Sequence, residues 1–149
     1  MKNLCLPILI LILFMTSCSK KKKTLKNIAG QWNMTSSTLH LSGGGSTDLL
    51  GQNNIIMDFQ NCEYESACNV YTHTTISSTS TTYGDTSSYV VSESSGICAN
   101  CSPNFIITIN DTTQFWITTL TRSTMTLNNQ NTDLSSIGED ITIITLEKL

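Results

Sequence analysis

The sequence predicts an all-β fold: an eight-stranded antiparallel up-and-down barrel after an N-terminal signal segment. Apolar and polar residues alternate with period two in eight short runs that are rich in β-branched residues. Turn-rich stretches of modest length separate these runs, and no window after the signal segment shows a helical apolar stripe. Closing the strands into a barrel removes exposed edges, whereas a two-sheet sandwich is the alternative arrangement.

The composition limits the possible functions before any motif is considered. The chain has 149 residues, a length typical of one domain with a targeting segment, and too short for a large multi-domain enzyme. Its formal net charge is −3, which argues against a basic nucleic-acid-binding domain. Only two prolines are present, too few for a proline-rich disordered chain.

The N-terminus has the pattern of an export signal. Lys2 precedes an apolar run over residues 4–14, which is too short to span a bilayer as a mature helix. The small residues Thr16 and Ser17 then stand directly before Cys18, and this arrangement resembles a bacterial lipobox. The resemblance implies cleavage before Cys18 and attachment of palmitate-type acyl chains to it. An ordinary cleaved signal and an uncleaved anchor helix are the alternatives.

These boundaries divide the chain into three parts: a lipoprotein signal peptide (1–17), a lipidated basic linker (18–26) and a barrel domain (27–149). Beyond residue 26 the only Lys and Arg residues are Arg122 and Lys148, and all acidic residues lie there. The linker is therefore expected either to attract anionic headgroups or to serve as a solvated spacer. The linker cations are Lys20, Lys21, Lys22, Lys23 and Lys26.

Alternation places the predicted strands at residues 28–41, 54–60, 68–76, 87–98, 104–110, 114–121, 124–128 and 141–149. The Ser- and Thr-rich residues 72–95 are predicted to form a long hairpin that turns at Tyr83, Gly84 and Asp85. Asp48, Leu49 and Leu50 allow one short helical turn at most.

Three motifs resemble the lipocalin-like lipoproteins of Bacteroidetes, within the calycin group, over residues 25–149. They are Leu25-x4-Gly30-x-Trp32, Ile117-x2-Leu120-Thr121-x3-Met125-x-Leu127 and Thr145-Leu146-x-Lys148. The resemblance implies that Gly30 lets the first strand bend and that Trp32 plugs the closed end of the barrel. The family also stacks an arginine from near the last strand on this tryptophan.

No arginine stands near the last strand of this chain. The up-and-down order places Arg122, in the turn after the sixth predicted strand, at the same end as Trp32. We therefore expect Arg122 either to stack on Trp32, a contact worth ~0.5–2 kcal/mol, or to remain a solvated turn residue.

Four cysteines remain once Cys5 leaves with the signal and Cys18 takes the lipid: Cys62, Cys68, Cys98 and Cys101. An even number in an exported domain predicts two disulfides. A hairpin centred on Tyr83 sets Cys68 opposite Cys98, and we prefer this long pairing, with Cys62 bonded to Cys101. The alternatives are the local disulfides Cys62–Cys68 and Cys98–Cys101, a zinc site formed by the four thiolates, and a redox pair formed by the Cys-x2-Cys motif.

Two functions compete. The first is binding of a small hydrophobic ligand inside the barrel, under a lid of Leu49 and Leu50. The second is a structural or interaction role, with the barrel filled by its own side chains. The candidate wall residues for the first are Ile55, Met57, Phe59, Phe105, Ile107, Phe115 and Ile117.

No enzyme is expected, since no acid, base and nucleophile converge, and neither His40 nor His73 belongs to a recognisable constellation. We also expect no cofactor, metal or nucleic-acid partner. The acyl chains should hold the protein to the cell envelope, at the outer membrane. Lysines rather than acidic residues follow Cys18, which favours the periplasmic face over the surface without excluding it. Protein partners cannot be named from the sequence.

Overall fold

A computed structural model describes residues 20–93, 105–129 and 140–149. The signal segment, Cys18, Cys98 and Cys101 lie outside the described residues, so predictions about them stay predictions. The elements are a helix over residues 20–28 (α1), followed by β1 (Gly30–His40), β2 (Ser46–Asp48), β3 (Asn54–Phe59), β4 (Cys68–Ile76), β5 (Thr81–Glu93), β6 (Phe105–Ile109), β7 (Thr113–Leu120), β8 (Thr124–Asn128) and β9 (Ile141–Lys148).

The strands close into a barrel. The sheet order is β2-β1-β3-β4-β5-β6-β7-β8-β9, and an additional β1–β9 pairing joins the two sides. All pairings are antiparallel. The first part of β1 pairs with β3, and its last part pairs with the short β2. The predicted all-β, eight-stranded, up-and-down barrel is confirmed, with β2 as a small addition, and it is compatible with a calycin-like fold.

The β4–β5 hairpin turns earlier than the sequence predicts. Ile76 pairs with Thr81, so the turn is formed by residues 77–80, and Ser80 takes a left-handed φ of 53°. Tyr83 and Gly84 lie within β5, opposite Thr74 and His73. The predicted turn at residues 83–85 is therefore wrong. Because Ser and Thr fill both faces of this hairpin, alternation does not locate its turn, and Gly84 gave a misleading turn signal.

The helix α1 also departs from expectation, because no helix outside the signal segment was predicted. Thr24, Leu25 and Ile28 are buried, with Ile28 0% exposed. Only two of these side chains are apolar, which is too few to make a helical stripe visible in the sequence. The packing of this one face against the barrel stabilises the helix, because most helical stability in proteins comes from tertiary packing.

The hydrophobic core runs from α1 into the barrel. The strands alternate inward and outward residues, and the inward ones form a single cluster in which Trp32, Val70, Ile107, Ile117, Met125 and Leu146 are 0% exposed. Phe59 and Tyr89 meet edge to face in this cluster, with ring centroids 5.2 Å apart. The Tyr89 hydroxyl donates to the Gln60 carbonyl oxygen, which ties the core to the segment after β3.

Candidate functional site

The two ends of the barrel differ in construction. Gly30 pairs with Phe59, so the start of β1 and the end of β3 lie at the same end. This closed end also carries α1, residues 60–67 and the 121–123 turn. The opposite, open end carries the 41–45 loop, residues 49–53 and the turns at 77–80 and 110–112.

Trp32 lies at the closed end with a cation above it. Trp32 and Lys148 are paired across β1 and β9, and the Lys148 Nζ lies 5.1 Å from the centroid of the Trp32 ring. The same Nζ donates to the carbonyl oxygens of Asn27 (3.0 Å) and Ala29 (2.7 Å), at the end of α1. The Trp32 Nε1 donates to the Ile28 carbonyl oxygen at 2.6 Å. These bonds join the helix, the first strand and the last strand.

Arg122 does not take the position over Trp32. It is exposed in the 121–123 turn, and Lys148 occupies the face of the ring, so the suggested Arg122 stacking is wrong and the solvated alternative holds. The physical reason is the β1–β9 register, which sets Lys148 directly opposite Trp32. The signal was present in the sequence, in the closing motif Thr145-Leu146-x-Lys148.

The position of Lys148 also restricts which residue can stand at Gly30. Its φ is +111°, a value that side chains with a Cβ rarely adopt, and a Cβ there would lie 3.2 Å from the Lys148 Cε. The glycine thus lets the chain leave α1 and enter β1 while Lys148 crosses close to the backbone.

The structure contains a disulfide between Cys62 and Cys68, with Cα atoms 6.0 Å apart. The preferred bond from Cys68 to Cys98 is therefore wrong, and the local alternative holds for Cys62 and Cys68. The error follows from the hairpin turn, because Cys68 lies opposite Tyr89 rather than opposite Cys98. Cys98 and Cys101 lie outside the described residues.

All the predicted wall residues belong to the inward-facing cluster. Most of them are buried in it, whereas Ile55 and Phe115 are only partly buried and pack at its margin. Leu49 is 51% exposed, and the Leu50 backbone N–H is held by the Asp48 carboxylate at 2.9 Å. Whether the wall and the lid contact a ligand stays a prediction. The buried wall residues are Met57, Phe59, Phe105, Ile107 and Ile117.

The interior changes in character toward the open end. Inward apolar side chains there are partly exposed: Ile55, Ile109, Phe115 and Ile144. Small polar residues share the same surface, because the register places Thr74 opposite Ile55, Thr72 opposite Met57 and Ser87 opposite Val70. The inward surface of the open half is therefore apolar with hydroxyl groups on one side, and its apolar side chains are less buried than those of the closed half.

Charge is distributed unevenly between the two ends. Every Lys and Arg in the described part of the chain lies at the closed end, on α1, in the 121–123 turn or at the end of β9. Acidic residues lie at both ends. Those toward the open end, where no described Lys or Arg lies, are Asp48, Asp85, Asp111 and Asp140. Those near the closed end are Asp58, Glu63, Glu65, Glu93 and Glu147. An anionic ligand approaching the open end would therefore meet unfavourable charges.

A second concave surface, here called the helix cleft, lies between α1 and the disulfide segment at the closed end. Its volume is about 690 Å³. Lys21 closes one side, with its Nζ 3.5 Å from a Glu93 carboxylate oxygen and 4.3 Å from the Tyr64 ring centroid. The Tyr64 hydroxyl accepts from the Glu93 backbone N–H at 2.7 Å, and burial raises the pKa of Tyr64. The lining comprises Lys21, Lys22, Leu25, Lys26, Ala29, Asn61, Cys62, Glu63 and Tyr64.

We also searched the described residues for metal sites, for histidine-containing sites and for membrane-spanning helices. Within them no group of three or more His, Cys, Asp or Glu residues is arranged to hold a metal ion. His40 ends β1 and His73 lies in β4, and both are exposed. Among the helices in the described ranges, none combines the length and apolar character needed to cross a membrane. Comparison with protein families, curated proteins and solved structures found no match.

Proposed function

We propose that the chain is a lipid-anchored envelope protein whose barrel binds a small hydrophobic ligand through its open end. The observation that carries this proposal is the partial exposure of the inward residues Ile55, Ile109, Phe115 and Ile144. Apolar side chains that face the inside of a closed barrel and still contact solvent form the kind of surface that hydrophobic ligands cover.

The closed half explains why the site is open at one end only. Trp32, Phe59 and Tyr89 fill the barrel there, and α1 covers it from outside. A ligand can therefore enter only from the open end. Thr72 and Thr74 supply hydroxyl groups that orient a polar atom of the ligand, as in other mostly apolar pockets.

The membrane anchor is proposed from the sequence. The lipobox-like segment ends at Cys18, two residues before the first described residue of α1, so the anchor would attach at the closed end. Acyl chains on Cys18 would then hold the barrel at the outer membrane, with the open end free. Mass spectrometry of the membrane-extracted protein tests this step, since acylation adds a defined mass to the N-terminal peptide.

One observation favours the alternative function, a barrel filled by its own side chains. The buried cluster extends from Leu25 and Ile28 through Met57 to Leu127, and it occupies much of the interior. A small eight-stranded barrel can be filled completely in this way. In that case the protein acts through its outer surface.

A binding titration distinguishes the two functions. The neutral fluorophore N-phenyl-1-naphthylamine is added to residues 18–149 carrying Cys18→Ser. We expect saturable binding, weakened at least tenfold by Ile55→Trp, whose side chain would occupy the open half. Asn54→Trp is the matched control, because Asn54 is exposed on the neighbouring outward position, and it should leave binding unchanged. No saturable binding to the unmodified barrel would favour the filled-barrel function.

A further inference from the structure

We propose that the helix cleft and the lysine face of α1 bind anionic phospholipid of the supporting bilayer. The protein then stands with its closed end on the membrane and its open end toward the aqueous phase. This inference rests on the proposed lipid anchor and adds to it an oriented docking surface.

The helix separates its cations from its buried side. Thr24, Leu25 and Ile28 face the barrel. Lys22, Lys23 and Lys26 are exposed, and their spacing of one, three and four residues puts them together on the opposite side of a helix. We call this group the lysine face. Its charges point away from the barrel, where a planar surface can meet all of them at once.

The lysine face is attached to the barrel rather than carried on a loose tether. Lys148 donates to the last carbonyl oxygens of the helix segment, at Asn27 and Ala29. Lys21 pairs with Glu93 at the other side. Docking of the helix on a membrane therefore also sets the direction of the barrel axis.

The helix cleft adds an apolar component beside these charges. Leu25, Ala29, Cys62 and Tyr64 provide apolar surface, while Lys22 and Lys26 stand at the helix side of the opening. A volume of about 690 Å³ lies within the range of lipid- and drug-sized ligand sites. The combination matches a phospholipid, whose phosphate would meet the lysines and whose acyl chain would enter the cleft. Glu63 on the opposite side favours placement of the phosphate near α1.

The distribution of charge and the path of the chain point to a bilayer as the source of this lipid. Cys18 lies four residues before Lys22, so an anchored chain brings the start of the lysine face within about 14 Å of the bilayer surface. Among the described residues, the open end carries acids and no Lys or Arg, so anionic headgroups would repel it. At the closed end seven cations outnumber five acids, and the difference favours the same orientation.

Lysine footprinting tests the orientation on the mature full-length lipoprotein. The protein is reconstituted into vesicles of phosphatidylcholine alone, or with one third phosphatidylglycerol, and acetylated briefly before peptide mass spectrometry. We expect acetylation of Lys22, Lys23 and Lys26 to fall at least fivefold in the anionic vesicles, and to recover in high salt. Lys148, whose Nζ is bonded to two backbone carbonyl oxygens, should react slowly in both kinds of vesicle. Equal reactivity of the lysine face in both vesicles would overturn the proposal.

Matched variants separate the lysine face and the cleft from general surface charge. Lys26→Gln should reduce the protection of Lys22 and Lys23, whereas Arg122→Gln removes another exposed cation at the closed end and should leave it intact. Ala29→Phe, which narrows the cleft, should also reduce protection, with circular dichroism confirming the fold. Full protection in Ala29→Phe would overturn the role of the cleft.

Failure of the anchor and failure of docking give different results. If the anchor is absent, the N-terminal peptide lacks acyl mass and the protein does not float with phosphatidylcholine vesicles. If only docking is absent, the protein floats with both kinds of vesicle while the lysine face reacts equally in each.

Discussion

Among single residues, Lys148 makes the contacts that join the first strand, the last strand and α1 at the closed end of the barrel. Its ammonium group lies over Trp32 and donates to the carbonyl oxygens of Asn27, in α1, and of Ala29, directly after it. We expect Lys148→Met, which keeps the aliphatic chain, to lower the free energy of unfolding by about 3 kcal/mol. Arg122→Met, at an exposed position of the same end, should change it by less than about 0.5 kcal/mol. Urea unfolding of both variants measures the difference, and equal effects would contradict a special role for Lys148.

Gly30 tests whether backbone conformation matters at the same place. Gly30→Ala should destabilise the protein by about 1–3 kcal/mol, because its φ is +111° and the new Cβ would crowd the Lys148 Cε. Gly44→Ala shares a positive φ (+91°) but meets no atom within 4 Å, and Gly43→Ala has neither problem. The expected order of thermal stability is therefore Gly43→Ala, Gly44→Ala, then Gly30→Ala. A wild-type melting temperature for Gly30→Ala would contradict the explanation.

The raised pKa of the buried Tyr89 predicts that the protein loses folding stability at alkaline pH. Burial raises the pKa of Tyr89 to about 12, above the ordinary value of 10.0. The folded state therefore holds the phenolic proton more tightly than the unfolded state does. The stabilisation of the folded state that follows from this difference in pKa is about 2–3 kcal/mol. It is fully present below pH 10 and is lost as the pH rises from 10 to 12.

Chemical unfolding at a series of pH values measures this loss. Tyr89→Phe is expected to be less stable near neutral pH, because the bond to the Gln60 carbonyl is missing. It should also lose less stability between pH 10 and 12 than the unmodified protein. An unchanged slope in Tyr89→Phe would assign the alkaline transition to another group.

At the level of elements, the segment between β3 and β4 is held by the Cys62–Cys68 bond. Replacing both cysteines with alanine should lower the free energy of unfolding by about 2 kcal/mol, as expected for a short closed loop. Thermal unfolding of the oxidised protein and of the double variant gives this value. Addition of reductant to the double variant shows any contribution from the other cysteines.

The same bond can be tested by proteolysis, because Glu63 and Glu65 lie inside the loop and Glu93 precedes Cys98. Cleavage after glutamate, without reduction, should leave the fragment ending at residue 63 linked to the fragment 66–93. A link between fragments 66–93 and 94–139 would instead support the long pairing. The two results differ in mass and are read directly by mass spectrometry.

At the scale of the whole barrel, charge is uneven: within the described ranges every Lys and Arg lies at the closed end, whereas acidic residues lie at both ends. If the barrel binds ligand through the open end, a neutral lipophile should bind more tightly than a fatty-acid anion of similar size. Competition against N-phenyl-1-naphthylamine measures both affinities, and salt should improve only the fatty acid. Asp85→Asn should raise fatty-acid affinity severalfold, whereas Asp58→Asn, near the closed end, should not. A preference for the fatty acid would contradict the expected direction of entry.

The sequence by itself determined the fold class and most strands, because alternation and β-branched composition are local properties. Residues 68–76 and 124–128 match β4 and β8 at both ends. The sequence also contains the Gly30–Trp32 motif. It predicted the inward positions of the seven wall residues, because inward residues alternate along each strand. The membrane anchor and the ligand remain predictions from the same source.

Only the tertiary structure decided which distant groups meet. The β4–β5 register moved the hairpin turn to residues 77–80, which excluded the predicted bond of Cys68. The closure of β1 on β9 brought Lys148, rather than Arg122, over Trp32. The barrel also provided the surface on which α1 folds, and with it the helix cleft. These features depend on contacts between segments far apart in the chain, so neither local propensity nor residue spacing could determine them.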